Sequence, residues 1–316
     1  MKIFVLLLLS FAPMLFAAPA DFNSAKKLAQ RIYSDEAQTF YCGCPLRWVG
    51  GKGQVDLAAC GYQIRKNGPR ANRIEWEHVM PAEQFGSGLT CWQQGGREQC
   101  GDRDQAFKRM EADLFNLKPA IGEVNGDRAH FRFSLLPEVA AQHGQCPIRI
   151  DFKRKLVEPR SGIRGDIARI YFYMADRYQI PLSMREQQLF LEWQQQDPVD
   201  QRELALHQRI AQQMGHANPF VTGDKEWFIG YQVAASSTKQ PLTHSIEDTS
   251  LSSTAEKTAE LKSSSQNMQI IGNKNSKKYH LSHCPGFSQV KVENQQVFKS
   301  EAHAKDAGYV RAGNCK

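Results

Sequence analysis

After residue 20 the 316-residue sequence has no apolar run long enough to span a bilayer, which excludes a transmembrane helix from the rest of the chain. HExxH is absent, which removes support for a zinc protease. No internal repeat is present, which excludes a repeat array. Aromatic residues are missing from 234–267, where Ser, Thr, Lys, Glu and Gln dominate. Such a stretch cannot bury enough apolar surface to offset its ordering entropy, and it reads as a flexible linker.

The first twenty residues have the layout of a secretory signal peptide. Lys2 forms a short positive region, Ile3 to Phe16 is mostly apolar, and Ala17-Ala18-Pro19-Ala20 ends in small residues. The mature chain is expected to begin near Asp21, without a stable membrane anchor, in the periplasm or outside the cell. All eight cysteines come after that segment: Cys42, Cys44, Cys60, Cys91, Cys100, Cys146, Cys284 and Cys315. An even count in an exported protein argues for disulfides. The formal charge is +7, and loss of Lys2 with the signal would leave +6. A basic protein has a polyanion among its plausible partners.

Three parts come after the signal: a globular domain over 21–233, the linker over 234–267, and a short module over 268–316 in which apolar residues return. In the globular part Ser24 is a candidate cap for a helix running toward Tyr33, and Phe40 to Gly68 reads as loops and short strands. Phe107, Met110, Leu114 and Leu117 fall at helical spacing, which predicts an amphipathic helix over 103–117. Ile163, Ile167, Ile170, Tyr171, Met174 and Tyr178 make one apolar stripe, read as core. Ser183-Met184-Arg185-Glu186 is a capping box opening a helix through Trp193, and Asp200 to Glu203 opens another.

The candidate chemistry lies in three stretches. Ile74, Trp76 and His78 alternate with Glu75, Glu77 and Val79 as in a strand, and Pro81 ends it. Glu77 and His78 pair a carboxylate suited to a metal with a base whose ordinary pKa lies near neutrality. Taken alone the pair is also what a surface Glu beside a structural His looks like. Neighbours on a strand point to opposite faces, so both serve one site only if the strand bends before Pro81. Cys91 and Cys100 bracket a Gly-Gly-Arg turn, Trp92 to Gln99; a bridge between them would hold Arg97, whose planar fork suits a phosphate. Spacing alone favours a solvated loop arginine. Pro119 suits the first position of a short helix, which would put Asn125 one to two turns in, as a neutral oxygen ligand for a hard cation such as Mg²⁺.

Glu77-His78-Val79-Met80-Pro81, Cys91-Trp92-Gln93-Gln94-Gly95-Gly96-Arg97, Met110-Glu111-Ala112-Asp113-Leu114 with Asn116-Leu117, and Gly122-Glu123-Val124-Asn125-Gly126-Asp127-Arg128 together closely resemble the endonuclease I family. The likeness continues through Tyr41-Cys42-Gly43-Cys44, Gly144-Gln145-Cys146 and Asn218-Pro219-Phe220, over about residues 22–222. The resemblance implies an α+β fold with a ββα-metal (His-Me finger) site, largely helical in its second half. It implies His78 as the base, Glu77 and Asn125 on a single Mg²⁺, and Arg97 on the scissile phosphate. It also implies hydrolysis of single- and double-stranded DNA, and of RNA, with 5′-phosphate ends, little sequence preference and a monomeric enzyme. Other divalent ions would substitute for Mg²⁺. Six cysteines fall in this part, with Cys91–Cys100 the foremost pairing; a further pair that relatives carry near the domain's end is missing, since 201–224 holds no Cys. Two other readings stay open on the residues alone, a nucleic-acid binder without catalysis and an exported hydrolase of small phosphodiesters.

Tyr279 to Pro285, Phe298 to Ala302, Ala307-Gly308-Tyr309 and Cys315 resemble the small Ada-like metal-binding module. That module uses four cysteines on zinc, whereas only Cys284 and Cys315 match here. A Cys284–Cys315 disulfide is expected ahead of a zinc site completed by His280 or His283.

Overall fold

The computed structural model describes residues 18–231 and, with gaps at 282–283, 285, 288, 292–293, 299–300 and 314, residues 270–315. Most of the expected signal, 1–17, and the expected linker, 234–267, lie outside the described residues. The chain divides into two compact units between Trp227 and Phe228. Among the described residues no helix is long and apolar enough to cross a membrane.

The first unit opens with α1 (Phe22–Ile32). Its cap is Asp21, which accepts from the Ser24 amide while the Ser24 hydroxyl accepts from the Asp21 amide. Ser24 is therefore the third helical residue of a capping box and not the cap. Strands β1 (Leu46–Val49) and β2 (Lys52–Val55) form a hairpin, and α2 (Gly68–Ala71) comes after it. Then comes the unit that carries the site. Strand β3 (Ile74–His78) leads through α3 (Ala82–Gly86), α4 (Thr90–Arg103) and α5 (Gln105–Glu111) to β4 (Leu117–Ile121) and α6 (Gly122–Arg128). β3 and β4 pair antiparallel, with Trp76 opposite Pro119 and His78 opposite Leu117, and α6 starts directly where β4 stops. Two antiparallel strands and a helix make the expected ββα unit.

Two expectations are corrected by these elements. Pro119 lies in β4 and not at a helix start, because its neighbours are tied across the sheet to Glu75 and Glu77. The helix over 103–117 is broken: α5 ends at Glu111 and a 3₁₀ turn spans Leu114–Asn116. Asp113 caps that turn, accepting from the Phe115 amide and from the hydroxyls of Tyr173 and Tyr178. Phe107, Met110, Leu114 and Leu117 are buried as the periodicity requires, but in three different elements.

The remainder is β5 (Arg132–Phe133), β6 (Arg149–Asp151) and β7 (Leu156–Glu158) in the order β5-β7-β6, then α7 (Arg164–Tyr178), α8 (Met184–Gln196), α9 (Gln201–Met214) and α10 (Pro219–Thr222). The Ser183–Glu186 capping box and the Asp200 cap are both present. The stripe of α7 is buried except for half-buried Tyr178, and Phe172 and Tyr173 on its other sides are buried too, so the helix is core on nearly every side. Arg169, buried within it, donates to both oxygens of Glu203 on α9.

Disulfides tie Cys42 to Cys146, Cys44 to Cys60 and Cys91 to Cys100. Cys42–Cys146 closes the longest loop, 104 residues apart, and by chain entropy contributes most, about 4–5 kcal/mol. Cys91–Cys100 is only 9 apart and contributes about 2–3 kcal/mol. Either figure is large beside a typical total stability of about 5–15 kcal/mol. Protein folded under reducing conditions is expected to be inactive, with Cys42→Ser losing more thermal stability than Cys91→Ser. Mass spectrometry that finds free Cys91 and Cys100 thiols in fully active protein would overturn this.

The second unit holds β8 (Ile270–Asn273), β9 (Lys278–Leu281), β10 (Gln295–Phe298), α11 (Glu301–Asp306) and β11 (Val310–Arg311). The sheet runs β10-β8-β9-β11, with β11 parallel to β9. Its core includes Ile270, Tyr279, Leu281, Phe298 and Tyr309, stapled by Cys284–Cys315. Both sulfurs are spent on each other, and among the described residues no group of three His, Cys, Asp or Glu side chains is placed to hold a metal ion. His283 lies outside the described residues.

Candidate active site

His78 is the last residue of β3, and beyond it the chain leaves strand geometry. Asn116 accepts from the Met80 amide through Oδ1 (2.7 Å), donates to the Met80 carbonyl through Nδ2 (2.9 Å), and its own carbonyl accepts from the Val79 amide. Buried Arg128, at the end of α6, donates to the carbonyls of His78 (3.2 Å) and Val79 (2.5 Å). These bonds hold the turn before Pro81, and Glu77 and His78, although strand neighbours in β3, both line one open cleft of about 660 Å³. Arg97, Asn125, Glu75, Phe22 and Trp92 line it as well. All four site residues singled out in the sequence, Glu77, His78, Arg97 and Asn125, thus meet in one place.

His78 is 7 % exposed, flanked by the rings of Phe22 (4.8 Å between centroids) and Phe85 (6.1 Å). Its Nε2 lies 2.8 Å from the Glu111 carbonyl. A carbonyl only accepts, so Nε2 carries the proton of the neutral ring and Nδ1 keeps a lone pair. Burial pushes the imidazole down to about 3, with the cations Arg97 and Arg128 adding to the effect and the Glu111 bond opposing it. The ring is therefore uncharged at neutral pH, with its one proton on Nε2.

Glu77 is 2 % exposed. Tyr41 donates to its Oε1 at 2.8 Å and the Arg128 guanidinium lies 3.2 Å from the same oxygen. Burial raises the carboxyl to about 7, outweighing Arg128 and Tyr41, which favour the carboxylate. Asn125, in the first turn of α6, donates Nδ2 to Glu75 Oε2 at 3.3 Å, which sets its Oδ1 as the remaining oxygen donor. Glu75 is itself held by Arg70 and Arg73. Gly126 lets Arg70 lie against α6, where a Cβ would collide with the guanidinium.

Residues 91–100 form no simple turn. Helix α4 runs through both cysteines and breaks at Gly95 and Gly96; the Gly96 φ of +68° is left-handed. The break aims Arg97 at the cleft, where its Nε donates to Glu111 Oε1 at 2.7 Å and its guanidinium sits 5.4 Å from the Phe22 ring centre. Glu111 therefore orients two site residues at once, His78 through its carbonyl and Arg97 through its carboxylate. Glu111, Arg128, Tyr41 and Asn116 were not picked out as working residues by sequence reasoning. Their signal was present only as motif members, because each acts through bonds to residues far along the chain.

The donor set suits a hard cation. Glu77 and Asn125 offer two oxygens in one cleft, and Mg²⁺ binds through few protein oxygens while keeping several waters. No thiolate or histidine cluster that would favour a softer metal is present among the described residues.

A family model described as Endonuclease I matches residues 21–225. Endonuclease-1 of Buchnera aphidicola subsp. Baizongia pistaciae (strain Bp) is 49% identical over 203 residues, 64% of this chain and 82% of that protein. An extracellular deoxyribonuclease of Aeromonas hydrophila is 49% identical over 201 residues, 63% of this chain and 88% of that protein. A periplasmic deoxyribonuclease of the same species is 44% identical over 217 residues, covering 68% and 91%. The family match spans every residue lining the cleft, and with it the ββα unit, the broken α4 and the α7 core, so the chain belongs to the endonuclease I family.

Proposed function

We propose that this chain, an exported endonuclease, hydrolyses phosphodiester bonds of single- and double-stranded DNA, and of RNA, with little sequence preference and one Mg²⁺ per site. The supporting observation is the meeting of Glu77, His78, Arg97 and Asn125 in one cleft, with the Nε2 of His78 occupied by a carbonyl. In this reading Glu77 and Asn125 hold the cation, which when bound neutralises charge on the phosphate and the leaving oxygen. Nδ1 of His78 takes a proton from water as the water oxygen forms its bond to phosphorus. The bond from phosphorus to the 3′ oxygen breaks, that oxygen leaves with a proton from solvent, and the phosphate stays on the 5′ side. Arg97, fixed by Glu111, grips the phosphate with the donors that Glu111 leaves over. The anionic substrate raises the depressed basicity of His78 by placing negative charge beside it.

A grip on phosphates without reading of base edges explains the breadth of substrate, and it implies strong weakening by salt. The test is end analysis of the products. Fragments should ligate without added kinase, whereas 3′-phosphate ends would overturn the assignment. A binder without catalysis gives no fragments at all, and a small-ester hydrolase leaves long polymers uncut.

Glu77 also sets a pH dependence. Its folded pKa of about 7 lies above the ordinary carboxylate value, so below pH 7 a proton competes with the cation for the same oxygens. The Mg²⁺ needed for half-maximal activity is expected to rise about tenfold per unit of pH below 7. At saturating Mg²⁺ the fall is delayed, because His78 remains a free base down to about 3. A half-maximal Mg²⁺ concentration unchanged between pH 7 and pH 5 would contradict this.

A further inference from the structure

Charge is unevenly placed along the chain. Residues 270–316 hold eight basic and three acidic side chains, so this short stretch carries +5 of the chain's +7. How those charges are used differs between the units. In the first unit arginines are largely spent on the protein's own carboxylates: Arg65 on Asp127, Arg70 and Arg73 on Glu75, Arg128 on Glu77, Arg169 on Glu203. Even Arg97 in the cleft is shared with Glu111. In the second unit, among the described residues, Lys274, Lys277, Lys278, Lys305 and Arg311 have no carboxylate within ion-pair distance, and all five are exposed.

Four of these cations, Lys274, Lys277, Lys278 and Arg311, are also gathered. Lys274 and Lys277 lie in the turn between β8 and β9, and Lys278 opens β9. The parallel register sets Lys278 opposite Val310, next to Arg311 on the edge strand β11. Lys277 Nζ lies 4.7 Å from the centre of the Tyr309 ring, which ties the turn to that strand. Val310 is 61 % exposed between them. Of the described acidic residues in this unit, Glu301 is engaged by the Tyr279 hydroxyl, and Asp306 is exposed beside Lys305.

Taken with the proposed function, on which this inference rests, the geometry points to the turn and edge strand of the second unit as a separate binding surface for the phosphate backbone of nucleic acid. Unpaired exposed ammonium and guanidinium groups release condensed counterions on meeting a polyanion, whereas ion-paired ones first lose a partner. Fusing such a surface to a nuclease raises the local concentration of long substrates without touching the chemistry. Nucleic acid is preferred over an anionic membrane because, among the described residues, the surface offers a line of cations with one exposed large apolar side chain, Val310, and no large apolar face to insert.

The full-length chain tests this through Lys274→Gln, Lys278→Gln and Arg311→Gln combined, leaving Lys277 in place because its φ of +52° and its ring contact belong to the turn. In a His78→Ala background, which prevents cutting, affinity for long duplex DNA should fall about tenfold, and the slope of log K against log salt should be shallower by roughly 2–3. With His78 intact, KM on long DNA should rise, while kcat/KM on a short oligonucleotide stays at the parent value and reports an intact first unit. Lys274→Arg with Lys278→Arg should keep parental affinity, which separates charge from fold. An unchanged salt slope and unchanged KM on long DNA would overturn the inference. So would loss of binding to vesicles of anionic phospholipid with DNA binding retained, which would assign the surface to membranes. If the parent protein binds DNA through this surface but cuts none, the proposed function fails and the binding surface stands.

Discussion

Changing His78 to alanine is expected to lower the rate of DNA cleavage by about 10²–10⁴-fold, the usual contribution of a positioned general base. Affinity for DNA should be nearly unchanged, since in the proposed mechanism Arg97 and the cation carry the phosphate. The size of the effect reflects how completely the ring is prepared for one task. Its Nε2 is committed to the Glu111 carbonyl, Phe22 and Phe85 fix its plane, and Nδ1 is the atom left to act. Removing it strands the Glu111 carbonyl and opens a small void, a cost of about 1–3 kcal/mol. A melting curve and a DNA-binding isotherm should therefore both show a folded, binding protein. Cleavage near the parental rate would refute the role of the ring.

Removal of the oxygen donors should act as strongly, through a different signature. Asn125→Ala and Glu77→Ala are each expected to raise the Mg²⁺ needed for half-maximal activity by at least roughly 10–100-fold, or to abolish activity altogether. The two differ in their side effects. Asn125 gives up one 3.3 Å bond to Glu75, and the fold should scarcely notice. Glu77 is the carboxylate facing the buried Arg128 guanidinium, and its loss leaves an uncompensated interior charge worth about 3–5 kcal/mol. Glu77→Ala should hence melt markedly lower than Asn125→Ala. Titration of both variants with Mg²⁺ decides the matter; if both keep the parental midpoint, the cation is held elsewhere.

Much of this site is legible in the residues without coordinates, and the limits of that legibility have physical causes. The alternation from Ile74 to His78 marks β3, since a strand's period of two is written locally. The same period argues against Glu77 and His78 sharing a site. The cleft takes both side chains all the same, with the chain just beyond them held by long-range bonds, Arg128 to the carbonyls of His78 and Val79 and Asn116 to Met80. Pro119 carries a sound local preference for a helix start, overridden by pairing with β3. Asp113 breaks the apparent helix after Glu111 with help from two tyrosines some sixty residues on, Tyr173 and Tyr178. The Cys91–Cys100 bridge is legible from the resemblance, but the pairing of Cys42 with Cys146 spans 104 residues and has no local trace.

The family resemblance brings Glu77, His78, Arg97 and Asn125 forward together, and the cleft gathers all four. It says nothing about why they stay in place. That depends on Glu111, which uses its carbonyl on one partner and its carboxylate on another.

As proposed, the Glu77–His78–Asn125 cleft is a cation-dependent phosphodiesterase centre. The most direct test is incubation of the oxidised mature protein with supercoiled plasmid, in Mg²⁺ and in EDTA. Nicking and then fragmentation to short 5′-phosphorylated pieces are expected in Mg²⁺, and intact plasmid in EDTA. Equal cleavage in both would contradict this.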